Sequence, residues 1–227
     1  MFEIALPAAR AIFTTREGGV SDEPFASRNL GLKTSDELAV VRQNIDALKH
    51  ELGLSSMQLL NQVHGSSVEV VEADDHGTIP IADAAVTSER GVGLLITGAD
   101  CPTVVIASAD RLAAIHCGWR PVSSGLIEKV ARHFSGEEFT AAVGPGICQE
   151  HFEVGPEVVD SMGASAREFT SGRNFDLVGA IKHRLVSCGA NVVHGVDRCT
   201  YCEPELFFSH RRDGERAGRH AGVAWRI

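Results

Sequence analysis

Apolar residues recur at helical intervals after residue 37, with Leu38, Val41, Ile45, Leu48 and Leu52 on one stripe. Thr34 and Glu37 make a capping box ahead of the stripe and Gly53 follows it, so the spacing predicts a helix over residues 35–52. A second helix is predicted from about Pro121, burying Leu126, Ile127, Val130 and Phe134. A third runs from Asp176 to Cys188, with Leu177, Ile181 and Leu185 inward and Gly189 as its stop. Elsewhere the pattern is of short β-rich runs, at 12–14, 59–63, 68–71, 93–97, 103–107, 112–115, 140–143, 191–196 and 223–227. Strands outnumber helices and often follow one another directly. This predicts an α/β (α+β) fold of mixed sheets flanked by helices, not a regular β-α-β repeat. No repeat, low-complexity tract or linker interrupts the 227 residues, so a single domain over 1–227 is expected.

The most informative stretch is GVGLLITGADCPTVVIASADRLAAIHCGWR, residues 91–120. Its runs 103–107 and 112–115 are separated by Ser108-Ala109-Asp110-Arg111 and should pair as a hairpin. Mirrored about residue 109, Cys101-Pro102 falls opposite His116-Cys117, which brings a thiol and an imidazole together at the open end. Gly98, Pro102 and Gly118 bracket the spot, as is usual where a site is built at strand ends. Two chemistries fit. In one, the imidazole draws the proton from a nucleophilic thiol. In the other, both residues ligate a metal, with His64 of Asn61-Gln62-Val63-His64-Gly65 as third ligand and the fourth position open, as at a catalytic zinc. The spacings of 37 and 15 residues match no compact zinc motif. A buried thiol and a hydrogen-bonded strand-end histidine are the plain structural alternative.

Composition narrows the class. Hydrophobic residues make up 44 % and charged residues 22 %, as in an ordinary globular protein. Apolar runs such as 104–107 are far too short to span a bilayer, and the start MFEIALPAAR lacks a basic, then apolar, leader, so a cytoplasmic protein without membrane contact is expected. The net charge of −9 argues against nucleic acid as a partner. Residues 209–227 nevertheless carry five Arg against Asp213 and Glu215, a local +3 suited to a small anion or to a solvated arm. The six cysteines read as reduced thiols, and Cys199-x-x-Cys202 as two incidental ones near a turn. His151-Phe152-Glu153 followed by that pair faintly resembles a zinc deaminase signature, but Arg198 stands where Pro should precede the first Cys, and the match is taken as coincidence. No P-loop, dinucleotide fingerprint, GxSxG or HxH pair occurs, the last weighing against trinuclear copper chemistry.

Taken together, Gln62-Val63-His64-Gly65, Ala82-Asp83-Ala84, Ala99-Asp100-Cys101-Pro102, His116-Cys117-Gly118-Trp119-Arg120, Val143-Gly144-Pro145-Gly146-Ile147, Cys199-Thr200, Phe207 to Asp213 and Gly218-Arg219 make the chain resemble the YfiH or laccase-domain family, also called polyphenol oxidase or peptidoglycan-editing-factor proteins. Thr15 to Ser21 and Asn29-Leu30-Gly31 extend the match to nearly the whole chain. The resemblance implies a sandwich of mixed sheets and helices, and a metal, zinc or copper, on His64, Cys101 and His116, which would also be the catalytic residues. It implies a purine nucleoside phosphorylase acting on adenosine, inosine, guanosine and methylthioadenosine, with adenosine deaminase activity. Phosphorolysis needs an anion pocket beside the ribose, for which Arg16, Arg120, Arg211, Arg212 and Arg219 are available, with Asn29 as a further substrate-binding residue.

The chain departs from the family pattern at Pro121, where Gly is usual, at Cys117, where Ala is usual, and at Ile45, where an Arg usually follows the helix Asn. The last departure carries an expectation: if that Arg holds phosphate, its absence weakens the phosphate requirement and Ile45→Arg would restore it. The rival functions are a copper-dependent polyphenol oxidase, a Cys101–His116 hydrolase editing peptidoglycan precursors, and a metal-stabilised binding module without turnover.

Overall fold

The computed structural model describes residues 1–72 and 77–227. Among these residues, strands Phe2–Leu6, Ala9–Phe13, His220–Arg226, Val92–Gly98 and Ser56–Leu59 lie side by side in that order in one sheet, antiparallel except for the last pair. A second sheet has the order Val192–Gly195, Thr140–Val143, Thr103–Ala107, Leu112–His116, Ala84–Thr87 and Val68–Val71, with parallel pairing only at its two edges. The architecture is the mixed α/β one expected.

Continuous apolar runs in the second sheet have a simple cause: both of its faces are covered. Val105, Ala107, Leu112, Ala114 and Ala142 face the first sheet and pack with Ala11, Phe13, Leu94, Ile96 and Ala224. The alternate residues, Val104, Ile106, Ala113, Ile115, Ala141 and Val143, meet Leu126, Ile127, Val130, Leu177, Ile181 and Leu185 from helices Leu126–Ala131 and Leu177–Ser187. On the outer face of the first sheet, Ile12, Leu95, Val223 and Trp225 pack against Val41, Ile45 and Leu48 of helix Leu38–Glu51. The layers are therefore helix, sheet, sheet, helix. Small residues let the sheets approach closely, and a Cβ added at Gly222 would stand 2.5 Å from Thr103 Cγ2.

Several expectations need correction. The first helix starts at Leu38, and the capping box does not form: Glu37 makes no side-chain cap, while the Thr34 hydroxyl donates to the Gly31 carbonyl. The second helix is two, Trp119–Ser123 and Leu126–Ala131, parted by Gly125 at φ 76°. The third is as expected, with the Asp176 carboxylate accepting from Gly179 N–H. The run 59–63 is a strand only to Leu59, because the chain then leaves the sheet to line a cavity. Among the described residues no helix is long and apolar enough to cross a membrane.

Candidate metal centre and cavity

The hairpin 103–116 forms with Thr103 opposite His116, one residue from the expected register, and Cys117 N–H donates to the Pro102 carbonyl at 2.9 Å. Continued past the strand ends, that register sets Cys101 against Gly118. A Cβ on Gly118 would lie 3.0 Å from Cys101 Sγ and 3.1 Å from His64 Nδ1, so only glycine leaves room for the two groups to converge. Cys101 sits where the chain passes from strand Val92–Gly98 of one sheet to Thr103–Ala107 of the other. His64 lies on the crossing from Ser56–Leu59 to Val68–Val71. Both positions are sheet corners, and the residues adopt unusual backbone there: His64 has φ 57° and Asp100 has φ 88°, a region non-glycine residues rarely enter.

One donor atom from each of His64, Cys101 and His116 lies within 4.8 Å of the others. Asp83, wholly buried, organises them. Its Oδ1 accepts from His64 N–H at 3.0 Å and pairs with His116 Nδ1 at 2.8 Å, and its Oδ2 accepts from Val63 N–H at 3.1 Å and Gly65 N–H at 2.7 Å. Engaging Nδ1 leaves His116 Nε2 as the atom free to ligate, the carboxylate–histidine arrangement that orients metal-binding imidazoles. Burial disfavours charge on His116, yet its hydrogen bonds to Asp83 and Cys101 prevail and push it up to about 9. Partial burial of the His64 ring, then the positive charges of His116, Arg120 and Arg219, outweigh Asp83 and hold His64 down to about 4. One imidazole is thus kept neutral beside a thiol, with a second fixed by a carboxylate. Two imidazoles and one thiolate suit zinc, with copper also compatible, and the glycine-lined cradle fits an ion.

The three residues lie on the wall of a cavity of about 590 Å³, within the roughly 300–1,000 Å³ of small-molecule sites. Lys33, Thr34, Asn61, Gln62, Thr97, His210, Glu215 and Arg219 also line it. Of the arginines named from sequence, only Arg219 is on this wall, with its Nη1 donating to the Ala217 and Gly218 carbonyls. Arg120 is exposed over the Trp119 ring, 4.3 Å from its centroid. The others lie off this wall. Arg16 donates to the carbonyls of Pro24, Ala26 and Pro204; Arg211 to those of His151 and Glu153; and Arg212 to those of Thr200, Tyr201 and Phe207 as well as to the Asp213 carboxylate. Asn29 is fully buried; its amide donates to Thr34 and Asp36, and its carbonyl accepts from Gly31 N–H and Arg219 N–H. These four hold the frame around the cavity. They lie off the cavity wall, and the geometry does not bring Arg16, Arg211 and Arg212 together as an anion pocket or set Asn29 against the cavity.

Sequence reasoning missed Asp83, Lys33 and Asn61. Asp83 was visible only as part of a motif. The Oδ1 of Asn61 is buried on the cavity wall and has no hydrogen-bond partner among the described residues. Ile45, conversely, is buried in the outer core and does not line the cavity. The preceding Asn44 is a structural clamp, donating to Ser21, Ser27 and Asn29 and accepting from Val20 N–H.

A family model described as multi-copper polyphenol oxidoreductase laccase matches residues 10–227. The purine nucleoside phosphorylase YfiH of Escherichia coli strain K12 is 35 % identical over 230 residues, covering 96 % of this chain and 93 % of its own length. The chain belongs to the YfiH family. Another relative in that family, the purine nucleoside phosphorylase PA4543 of Pseudomonas aeruginosa, is 37 % identical over 229 residues, covering 95 % of this chain and 93 % of its own. Among solved structures, the Neisseria meningitidis protein NMB0706 superposes on this YfiH-family fold with a TM-score of 0.91 at 32 % identity, covering 99 % of this chain and 98 % of its own. YlmD from Geobacillus stearothermophilus does so with 0.88 at 30 % identity, covering 96 % and 92 %.

Proposed function

We propose that this chain is a cytoplasmic, single-domain, metal-dependent purine nucleoside phosphorylase with adenosine deaminase activity. The observation that carries the reading is the meeting of His64, Cys101 and His116 on the wall of a cavity that also presents Arg219, Lys33 and the Asn61 side-chain carbonyl, which has no partner among the described residues. Relatives that carry the name purine nucleoside phosphorylase over nearly the full chain support it.

In phosphorolysis the bond from the ribose anomeric carbon to the purine nitrogen breaks and a phosphate oxygen takes its place. The base leaves with the electron pair and ends with the proton that hydrogen phosphate brought. Arg219 and Lys33 supply the positive charge that holds the phosphate, Arg by a two-pronged contact. Asn61 Oδ1 accepts a hydrogen bond from the edge of the purine, which removes the cost of leaving that oxygen unpaired. Asp83 keeps His116 in the tautomer that ligates through Nε2. His64, Cys101 and His116 would hold a zinc or copper ion, which when bound would supply Lewis acidity for activating water in deamination at C6 of adenine.

The test is chromatography of metal-analysed protein incubated with adenosine, inosine, guanosine and methylthioadenosine, with and without phosphate. Free base appearing only with phosphate, and inosine from adenosine without it, are expected. Unchanged nucleosides would refute the reading. The description of the matching family favours a polyphenol oxidase as second reading, so an arm with a phenol and dioxygen belongs in the same experiment.

A further inference from the structure

A second group of metal-binding side chains lies outside the cavity. Cys148 and His151 bracket the short turn Gln149–His151, and Cys199 and Cys202 bracket a turn in which Glu203 N–H donates to the Cys199 carbonyl. Two segments 48 residues apart in sequence thus each present a pair of ligand-type residues at the two-residue spacing common in zinc sites. A bridge between Gly146 and Cys199, and Thr200 N–H donating to the Gly146 carbonyl, press the two turns together.

Three of the six distances among the four ligand atoms are close to the edges of a tetrahedral site. All four ligand atoms lie within 4.8 Å of one another. Cys148 Sγ is 3.9 Å from Cys202 Sγ, and His151 Nδ1 is 3.2 Å from the first sulfur and 3.4 Å from the second. Zinc with Zn–S about 2.3 Å and Zn–N about 2.05 Å has tetrahedral edges of about 3.8 Å between sulfurs and about 3.6 Å between sulfur and nitrogen, so the ligand atoms already stand within about 0.4 Å of that spacing. A disulfide would instead require the sulfurs to close to about 2.05 Å.

Hydrogen bonding among neutral thiols does not explain the group equally well. His151 Nδ1 offers one lone pair or one proton, yet two sulfurs approach it at similar distance. A central cation satisfies all four donors at once. The surroundings already orient the ligands: Cys148 N–H donates to Cys199 Sγ at 3.2 Å, and the His151 ring stacks on Tyr201 at 4.1 Å.

We propose that Cys148, His151, Cys199 and Cys202 bind a second zinc ion, as a closed four-ligand structural site. Binding displaces the three thiol protons to solvent and leaves each sulfur reduced, so no oxidant is involved. With no position left for substrate, the ion staples residues 146–151 to 198–202.

The test is elemental analysis of full-length protein, purified reducing and loaded with zinc alone, in parallel with His64→Ala, Cys199→Ser and Cys202→Ser. Expected are two equivalents in the wild type, one in each single variant, and none in His64→Ala combined with Cys199→Ser. A wild type with one equivalent that survives His64→Ala and is lost in Cys199→Ser still supports this site while counting against the cavity metal. Zinc content unchanged by both cysteine variants overturns the proposal, as does a Cys148–Cys202 disulfide found by mass spectrometry of the reduced-purified protein. Should the serine variants not fold, His64→Ala, which keeps all four residues of this group, decides. Cobalt added to His64→Ala should give strong thiolate charge-transfer and tetrahedral ligand-field absorption, and their absence overturns the site. Cys202→His, which restores a ligand, should recover the lost equivalent.

Discussion

Replacing Asp83 by Asn changes one atom in a wholly buried side chain and tests how the cavity site is held. The carboxylate serves four partners, two on each oxygen. An amide has one acceptor end, so in either orientation its NH2 group faces two of them. Turned toward Val63 and Gly65, it meets two N–H donors and forfeits two charge-assisted hydrogen bonds, each worth roughly 1.5–3 kcal/mol, for a total of about 3–6 kcal/mol. Turned the other way, it forfeits the bond from His64 N–H and forces His116 Nδ1 to accept. The proton then sits on Nε2, the atom needed for a metal. Loss of such an orienting partner lowers metal affinity by about 10- to 100-fold. Urea unfolding of the chelator-treated protein measures the first effect and competition against a zinc indicator the second. A stability within about 1 kcal/mol of wild type, together with unchanged affinity, would refute the role assigned to Asp83.

Ile45→Arg places a guanidinium in the outer core and should destabilise by several kcal/mol, read by thermal melts, with no fall in the phosphate Michaelis constant of whatever remains folded. Arg219→Gln, on the cavity wall, should raise that constant about tenfold or more in steady-state assays, whereas Arg212→Gln should cost stability instead, since it strips a clamp on three carbonyls. Burial, then the charge of Arg219 beside it, hold His220 down to about 3, and its Nδ1 has no partner among the described residues. The unfolded chain takes up a proton there near pH 6.5 that the fold refuses, so this contribution is complete above that pH and is lost on acidification toward 3. His220→Met should therefore lessen the stability lost between pH 7.5 and 5.5 by about 1.4 kcal/mol in urea titrations at the two pH values.

What the sequence made legible was periodic. The stripe on Leu38–Glu51 and the hairpin of 103–116 could be read because burial repeats every 3.6 or 2 residues. The hairpin register differs by one from a mirror about residue 109 because the four-residue turn 108–111 is centred between 109 and 110, which sets Ala107 opposite Leu112 and Thr103 opposite His116. The strand expected over 59–63 ended early for a reason no pattern carries. Beyond Leu59, the Gln62 side chain takes over the ladder, donating to the Thr97 carbonyl and accepting from Thr97 N–H. Charge was legible and partners were not: Arg16, Arg211 and Arg212 look like anion binders in a list, but their carbonyl partners lie up to 188 residues away in sequence. His151 could be set beside Cys199 and Cys202 only as a failed deaminase signature, and Cys148 not at all, because the four meet only through tertiary structure.

The two Cys/His groups are not independent in the architecture. Asp100 precedes the cavity cysteine and holds a backbone angle that costs free energy unless its surroundings impose it. Three segments do so. Its carbonyl accepts from Ile147 N–H, its Oδ1 from the Thr200 hydroxyl at 2.7 Å, and its Oδ2 from Arg211 N–H at 2.7 Å. Ile147 adjoins Cys148, Thr200 lies between Cys199 and Cys202, and the Arg211 side chain donates to the His151 carbonyl. Every anchor of Asp100 is therefore attached to a residue of the second group, and Cys101 inherits its position from that framework. Loosening 199–202 should therefore weaken the cavity ion's affinity through a shifted Cys101 Sγ while leaving its equivalent bound in zinc-loaded protein, because the strand that follows Cys101 is fixed by pairing on both sides and only the corner can give.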